Sequence, residues 1–284
     1  MKDLRVAGWL HIHPLFFLLA FSAILTGAIL DFILLFTIVL IHEMGHFCTA
    51  RYYNWRVEKL EIWLFGGAVV SEEHHTRPFK EQAAVVLAGP LQHVWIYLLL
   101  SGIQMWIGPH PFIATAFFYN TLLLGFNLMP VWPLDGGKLI FYLFCQTSSF
   151  QKSLKRTLLF SALVLAAAAG WLFIEQRWTL AAVLLTAFLI TEHVLEWKKR
   201  AFSHMRYLLF CAYQNREGMK TEYKHVSPDM RIMDAVKHVR PNRRVKYILK
   251  QAPHFYIVDE QECLRAYFEN KQPYLKFRDI RQFA

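Results

Sequence analysis

The residues of this sequence best suited to chemistry are two histidines and a glutamate inside one apolar stretch. Residues 32–50 contain the sequence HEMGH at positions 42–46. Residues four apart lie on one face of a helix, so His42 and His46 can hold one metal ion with Glu43 beside them. This spacing is typical of zinc hydrolases, where two imidazoles bind Zn²⁺ and the glutamate is the general base for a zinc-bound water. Chance can produce such a motif, but three ionisable side chains in an apolar span are costly and usually mark function.

The composition indicates that this motif lies in a membrane protein. Of 284 residues, 55% are hydrophobic and 18% are charged, whereas a soluble domain is typically about 25% charged. The mean hydropathy is +0.26. These values disfavour a soluble enzyme, a disordered chain and a fibrous repeat. The four cysteines form no CxxC pair, so we expect reduced thiols rather than a disulfide framework.

Six segments are apolar and approach the length of about 20 residues that a membrane-spanning helix needs. They are 14–30, 32–50, 83–107, 112–131, 157–174 and 178–196. A secretory signal is the alternative for the first segment. No clear A-x-A cleavage site comes after it and a second apolar run begins at once, so an uncleaved span is favoured.

The distribution of Lys and Arg orients these spans. The segments before the first span, between the second and third, and between the fourth and fifth hold 2, 5 and 4 such residues. The segments after the first, third and fifth spans hold 0, 0 and 1. Because Lys and Arg concentrate on the cytoplasmic side, we predict that both termini are cytoplasmic. The second and fourth spans then run in the same direction and end at the cytoplasmic face.

The third metal ligand is expected from the end of the fourth span. A catalytic zinc site has three protein ligands and one open position. Asp135 is the only acid in a long apolar part of the sequence, and nearby prolines and glycines interrupt the helix there. Irregular backbone at membrane depth is tolerated only when protein or a watery cavity surrounds it. We therefore predict that Asp135 joins His42 and His46; an ordinary helix-ending turn is the alternative.

Two features are candidates for substrate binding. Residues 57–73 form two strand-like runs, and such a hairpin can offer its edge to an extended substrate; a plain connecting hairpin is the alternative. The Asn127 amide can hold a substrate backbone or a developing oxyanion, or it can serve in helix capping or interhelical bonding. The predicted substrate-binding residues are Phe65, Gly66, Gly67, Asn127 and Pro133. For His93, in the third span, packing is favoured over contact with a metal ligand.

The last part of the chain differs sharply in charge from the rest. Residues 1–196 hold 12 Lys and Arg against 12 Asp and Glu, while residues 197–284 hold 19 against 9 and so carry the whole net charge of +10. We predict a transmembrane domain over 1–196 and a cytoplasmic domain over 197–284. Anionic lipid or an acidic protein substrate are the partners that this charge favours. Nucleic acid is disfavoured, because the charge is spread out and no binding motif is present.

Within the tail, four elements are predicted. They are a helix over about 192–214 that continues the sixth span, a helix capped by Ser227-Pro228-Asp229, a strand over His254–Asp259 and a helix over 264–270. The expected fold class is thus a polytopic α-helical membrane protein with a small C-terminal α+β domain.

The motifs together resemble a known family. HEMGH (42–46) and NLMPVWPLDGGKL (127–139) are similar to the site-2 intramembrane metalloproteases. FGGAVV (65–70), EEHHTRPFKE (72–81) and AGPLQH (88–93) resemble its sporulation-type branch. The resemblance covers essentially the whole chain, and it implies zinc ligands at His42, His46 and Asp135, a base at Glu43 and a substrate-binding role for Asn127.

The resemblance also implies a biological setting. The substrate would be a membrane-associated precursor, that of the sporulation factor sigma K, cut near the cytoplasmic face in a bacterium and restrained by membrane-protein inhibitors. The tail resembles one cystathionine-beta-synthase-type (CBS) module. Such modules work in pairs, so a lone copy implies a homo-oligomer. The resemblance links this module to ATP, although the tail contains no Gly-rich phosphate loop.

A non-catalytic membrane scaffold or a metal-binding carrier is the alternative function. A carrier would need acids or histidines along a path through the membrane, whereas these are clustered at one depth. A scaffold would be expected to lack Glu43 or a ligand, yet all are present.

Overall fold

The structure is a computed structural model of the chain. It describes residues 4–7, 10–12, 14–63, 66–71, 77–176, 178–214, 216, 218–241, 243–251, 254–270 and 274–282. These residues form two compact units, and each is described by itself. The first unit comprises Met1–His74, Lys80–Leu139 and Arg177–Ala187, and the second comprises His75–Phe79, Ile140–Gln176 and Phe188–Ala284.

The first part of the chain alternates short strands with apolar helices. Its elements are β1 (Leu4–Ala7), β2 (Leu10–Ile12), α1 (Pro14–Leu25), α2 (Ile29–Tyr52), β3 (Val57–Trp63), β4 (Gly66–Ser71), α3 (Phe79–Ile107), α4 (Pro111–Leu128) and α5 (Asp135–Thr147). The later elements are α6 (Phe150–Ile174), α7 (Leu180–Tyr213), β5 (Lys220–Val226), α8 (Ile232–Val236), β6 (Arg243–Gln251), β7 (His254–Asp259), α9 (Glu260–Asn270) and a 3₁₀ helix (Phe277–Gln282).

Each of the six segments predicted to span the membrane contains a helix. Among the described residues, four helices are both long and apolar enough to cross a membrane: α2, α3, α6 and α7. The helix α1 has 12 residues and α4 has 18, so a count of six spans stays a prediction. The helix α7 has 34 residues, or about 51 Å at 1.5 Å per residue. It therefore covers residues 192–213 of the helix predicted over about 192–214, and it runs unbroken through the predicted domain boundary at 196/197.

Glycines let α2 and α3 approach each other closely. A Cβ atom on Gly45 of α2 would lie 2.6 Å from the carbonyl oxygen of Ala88 in α3. A Cβ atom on Gly89 of α3 would lie 2.2 Å from the Nε2 atom of His46. Because real Cβ atoms essentially never come so close to other atoms, a larger residue at either position would separate the helices or displace a ring.

A small apolar cluster holds the two helices together near this contact. Ala50, Trp55 and Val85 are buried against one another, and the indole Nε1 of Trp55 donates a hydrogen bond to Glu81 Oε2 at 3.1 Å. The cluster therefore fixes the first turns of α3 beside the last turns of α2.

The backbone between α4 and α5 is irregular, as the prolines and glycines there predict. The helix α4 ends at Leu128 and α5 begins at Asp135; the sequence pattern does not predict this second helix. A Cβ atom on Gly136 would lie 2.1 Å from the carbonyl oxygen of Leu128, and one on Gly137 would lie 2.7 Å from that of Val131. The absence of side chains at these two positions lets α5 start directly against the end of α4.

The predicted hairpin is present within a larger sheet. Strands β3 and β4 pair antiparallel, and β3 pairs parallel with β2, which pairs antiparallel with β1. The sheet order is β1-β2-β3-β4. Among the described strands, β4 therefore has one free edge. The strand β4 lies next to α2. The sequence pattern does not predict β1 and β2.

The tail forms a three-stranded sheet in the order β5-β6-β7. The predicted strand His254–Asp259 is confirmed as β7, and the predicted late helix is α9, which begins earlier, at Glu260. The helix predicted after Ser227 begins only at Ile232. Arg231 has an extended conformation and forms a β-bridge with Lys276. The helix can therefore begin only at the next residue.

A buried ion pair ties several parts of the tail together. Arg216 Nη1 donates to Glu260 Oε1 at 2.5 Å, and Arg216 Nη2 donates to the carbonyl oxygens of Arg240 and Arg243 at 2.6 and 2.7 Å. The other carboxylate oxygen of Glu260 accepts the main-chain N–H of Val245 at 2.9 Å.

Candidate active site

The structure brings the three predicted ligands together. His42 and His46 lie on one face of α2, and Asp135 lies at the first position of α5. The Nε2 atoms of the histidines are 3.1 Å apart. Asp135 Oδ2 is 3.2 Å from Nε2 of His42 and 3.0 Å from Nε2 of His46. All three side chains are buried, so three ligand atoms converge on one point inside the protein.

These separations fit a tetrahedral zinc ion. With zinc–nitrogen bonds of about 2.0–2.1 Å, tetrahedral geometry places neighbouring ligand atoms about 3.3 Å apart. Two imidazole nitrogens and one carboxylate oxygen are also a donor set that zinc prefers, and they leave a fourth position open. The residues present therefore fit the metal.

The other nitrogen of His46 is held by the main chain. His46 Nδ1 is 2.7 Å from the carbonyl oxygen of Val85. A carbonyl oxygen can only accept, so Nδ1 carries the proton and Nε2 keeps its lone pair for a metal. Such a partner orients a ligand histidine and fixes its tautomer.

The other nitrogen of His42 is held by a side chain. His42 Nδ1 is 3.1 Å from Nε2 of His93 in α3. His93 Nδ1 is in turn 2.7 Å from Oδ1 of Asn120 in α4. Both His93 and Asn120 are completely buried. Of the two interpretations of His93 from the sequence, the structure therefore favours contact with His42, a predicted metal ligand.

The carboxylate of Asp135 has a partner of its own. Lys138 Nζ donates to Oδ1 of Asp135 at 3.2 Å, which leaves Oδ2 facing the histidines. The lysine side chain is 30% exposed. Each ligand is thus oriented by a different kind of group: a main-chain carbonyl, an imidazole and an ammonium.

Glu43 is buried beside the ligands. It adjoins His42 in α2 and is 8% exposed. A carboxylate buried on the same helix as two of the converging ligands is a candidate for proton transfer to and from a reacting group.

The predicted substrate-binding residues are spread over several elements. Asn127 lies in the last turn of α4, and Pro133 lies between α4 and α5, near Asp135 in sequence. Gly66 and Gly67 begin the edge strand β4, opposite Trp63 and Ile62 of β3. Phe65 lies outside the described residues. Substrate contact at these positions stays a prediction.

Comparison with known proteins decides the family. The model of peptidase family M50 matches residues 31–108 and 102–169, which include all three converging ligands. The chain is 36% identical to the stage IV sporulation protein FB of Bacillus subtilis over 93% of this chain and 92% of that protein. The chain belongs to peptidase family M50. It is therefore an intramembrane metalloprotease of the site-2 type, and the scaffold alternative is disfavoured.

Other known proteins match smaller shares of this chain. A zinc metalloprotease of Methanocaldococcus jannaschii is 31% identical over 44% of this chain and 37% of its own length. The solved structure of a site-2 protease from the same organism matches the fold with a TM-score of 0.55 at 24% identity, covering 69% of this chain and 94% of that one. The family and the His-His-Asp cluster agree on zinc as the metal.

The residues that orient the predicted zinc ligands could not be identified from the sequence. The sequence pattern predicts no role for Asn120 or Lys138, and for His93 it favours packing. The available signals are weak: a histidine and an asparagine in neighbouring apolar helices, and a lysine one turn after Asp135.

Proposed function

We propose that the chain is a zinc endopeptidase that cuts a membrane-associated precursor near the cytoplasmic face, and that this precursor is the sigma K precursor of sporulating bacteria. The convergence of His42, His46 and Asp135 carries the catalytic part of the proposal. The substrate part is supported by the near full-length similarity to a relative named for sporulation and by the motif resemblance.

The proposed roles come from the chemistry of each group. His42, His46 and Asp135 would hold zinc, which when bound acts as a Lewis acid that polarises the scissile carbonyl and lowers the pKa of water. Glu43 takes a proton from the attacking water as the water oxygen bonds to the carbonyl carbon. It then gives that proton to the amide nitrogen as the carbon–nitrogen bond breaks. The products are an amine and a carboxylic acid, which keeps the second proton of the water until it ionises.

Substrate positioning is the second part of the proposal. A peptide bond inside a helix is shielded by its own hydrogen bonds, so the substrate must be extended before it is cut. The free edge of β4, which begins with Gly66 and Gly67, offers main-chain N–H and C=O groups to such a segment. Asn127 and Pro133, with Phe65, would contact the substrate near the scissile bond, the Asn127 amide by donating to the carbonyl oxygen.

The remaining features concern topology and partners. We infer six spans with both termini in the cytoplasm, a transmembrane domain over 1–196 and a CBS-like regulatory domain over 197–284. Homo-oligomer formation through that domain, ATP binding to it and restraint by membrane-protein inhibitors belong to the same proposal. The resemblance of the tail to a CBS module supports the oligomer and ATP binding, and the resemblance to the sporulation-type branch supports the inhibitors.

The test is cleavage of a membrane-tethered sigma K precursor co-produced with this chain in a heterologous bacterium. We expect the wild type to release a shortened product and Glu43→Gln to release none while still binding zinc. Glu175→Gln, at an exposed glutamate after α6, is the matched control and should cleave normally. Cleavage by Glu43→Gln at the wild-type rate would contradict the role of Glu43, and cleavage of an untethered precursor equally fast would contradict the membrane requirement.

A further inference from the structure

His93 and Asn120 are two fully buried polar residues that the proposed reaction does not use. They are 0% exposed, and they belong to α3 and α4, neither of which supplies a metal ligand. Burying an imidazole and an amide is costly unless their hydrogen bonds are satisfied. Their bonding pattern shows what the pair can do.

The hydrogen bonds of Asn120 fix the direction of the whole arrangement. Asn120 Nδ2 donates to the main-chain carbonyl oxygen of His93 at 3.1 Å, which determines which end of the amide is nitrogen. Oδ1 therefore faces His93 Nδ1, at 2.7 Å. An amide oxygen can only accept, so the proton of this bond sits on Nδ1 of His93.

That proton position sets the tautomer of the next ring. A neutral imidazole with its proton on Nδ1 has a lone pair on Nε2, and Nε2 of His93 lies 3.1 Å from Nδ1 of His42. His42 must therefore donate from Nδ1, and its own lone pair is left on Nε2. This is the atom that faces His46 and Asp135.

We propose that Asn120 and His93 form a serial hydrogen-bond relay that holds His42 in the Nδ1–H tautomer and thereby sets the zinc affinity of the site. The proposal rests on zinc binding by the three ligands but not on the identity of the substrate. It makes Asn120 and His93 positioning residues, because both act only through His42. The alternative is that the pair merely fastens α3 to α4.

A nearby interhelical hydrogen bond provides the matched control for helix fastening. Tyr97, one helical turn after His93, bonds through its hydroxyl to Oγ1 of Thr121, the residue after Asn120, at 2.7 Å. This bond also joins α3 to α4, but it is exposed and does not lead to His42. Thr121→Val removes it without affecting the relay.

The measurement is the zinc dissociation constant of the detergent-purified full chain, obtained by competition with a chromophoric chelator. We expect His93→Phe and Asn120→Leu each to weaken zinc binding about 10–100-fold, as loss of a partner of a ligand histidine typically does. Thr121→Val should bind zinc as the wild type does. The absorption spectrum of bound Co²⁺ should change in the two relay variants and not in the control.

The serial order gives a sharper expectation. Once His93 is replaced, Asn120 has no path to His42, so the double variant His93→Phe/Asn120→Leu should bind zinc no more weakly than His93→Phe alone. Additive losses, an equal loss in Thr121→Val, or wild-type affinity in Asn120→Leu would each overturn the relay.

A conservative variant covers the case in which Asn120→Leu does not fold. Asn120→Asp keeps an acceptor oxygen opposite His93 Nδ1 but loses the donor to the main-chain carbonyl oxygen of His93. Because the acceptor for His93 Nδ1 remains, its zinc affinity should clearly exceed that of His93→Phe. Zinc binding by folded Asn120→Asp as weak as that of His93→Phe would also overturn the proposal. Zinc binding that fails in the wild type itself would instead contradict the proposed function.

Discussion

Two buried clusters of charged groups in this molecule differ in how completely they are satisfied. At Arg216 and Glu260 in the tail, each carboxylate oxygen faces an N–H donor and the two charges balance. Burial raises the pKa of Glu260 to about 7, and the charge of Arg216 opposes that rise. At His42, His46 and Asp135, three lone-pair atoms lie within 3.2 Å of one another.

The difference shows how a buried polar cluster reveals its role. In the tail, both terminal nitrogens of Arg216 and both carboxylate oxygens of Glu260 have protein partners, so this cluster holds β6 and α9 in place. The cluster near α2 is held on its outer side by Val85, His93 and Lys138, and on its inner side presents only lone pairs. Such an arrangement is stable when a cation occupies the centre. Variants of the two clusters should therefore differ in which property they change and in how strongly they change it.

Removal of one converging ligand should have the largest effect. Asp135→Asn replaces a charged oxygen ligand, so we expect zinc content to fall from about one per chain to nearly none in the purified protein. Asp229→Asn, at an exposed acid in the tail, is the control and should keep its zinc. A folded Asp135→Asn that retains stoichiometric zinc at wild-type affinity would show that Asp135 is not a ligand.

A methyl group placed against the imidazole rings of the predicted ligands should have the second-largest effect on zinc binding. Gly89→Ala would put a Cβ atom 2.2 Å from Nε2 of His46, and the ring must move to avoid it. We expect at least about tenfold weaker zinc binding, measured by chelator competition, on the scale of disturbed ligand orientation. Gly102→Ala, in the same helix with open space around it, should bind zinc normally. Equal behaviour of the two variants would contradict the close packing of α3 on the site.

Substitution in the Arg216–Glu260 cluster should lower the stability of the tail and leave zinc binding unchanged. Glu260→Gln leaves Arg216 buried without its counter-charge, which typically costs about 3–5 kcal/mol. Thermal unfolding of the tail, monitored by hydrogen exchange, should occur at a lower temperature while zinc content per folded chain stays constant.

Two further variants sharpen this prediction. The double variant Arg216→Met/Glu260→Leu should regain much of the lost stability, because no charge is left unpaired. Asp234→Asn breaks the exposed pair with Lys237 and should change stability little. If Glu260→Gln lowered stability no more than Asp234→Asn, the buried pair would contribute no more to stability than the exposed one.

The smallest effect is expected at Lys138. Lys138→Met removes the donor to Oδ1 of Asp135, but the lysine is 30% exposed and water can replace it. We expect zinc binding to weaken about tenfold or less, with Lys152→Met as the control at an unrelated lysine. A loss as large as that of Asp135→Asn would mean that Lys138 does more than orient the carboxylate.

The catalytic motif could be predicted because its geometry is local. His46 is four positions after His42, and helical periodicity alone places them together. Asp135 could be predicted because acids are so scarce in the apolar region that few alternatives exist. The strand His254–Asp259 could be predicted from its short apolar run for the same local reason.

The groups that orient the ligands depend on how helices pack, which spacing does not encode. His93 is 51 residues from His42, and Asn120 is 27 residues from His93. The close approach of α2 and α3 at Gly45 and Gly89 lets His93 lie beside His42. The start of α5 at Asp135 could not be predicted, because prolines and glycines indicate that a helix breaks but not that a new helix begins.

The hydrogen bond from His46 to the carbonyl oxygen of Val85 affects which substitutions the site can tolerate during evolution. Every amino acid carries a main-chain carbonyl, so replacing the side chain at position 85 leaves this acceptor in place. The partner of His42 is a side chain, and mutation can alter or remove it. Selection can therefore adjust how tightly the metal is retained through positions 93 and 120, while the second histidine keeps a partner that mutation cannot erase.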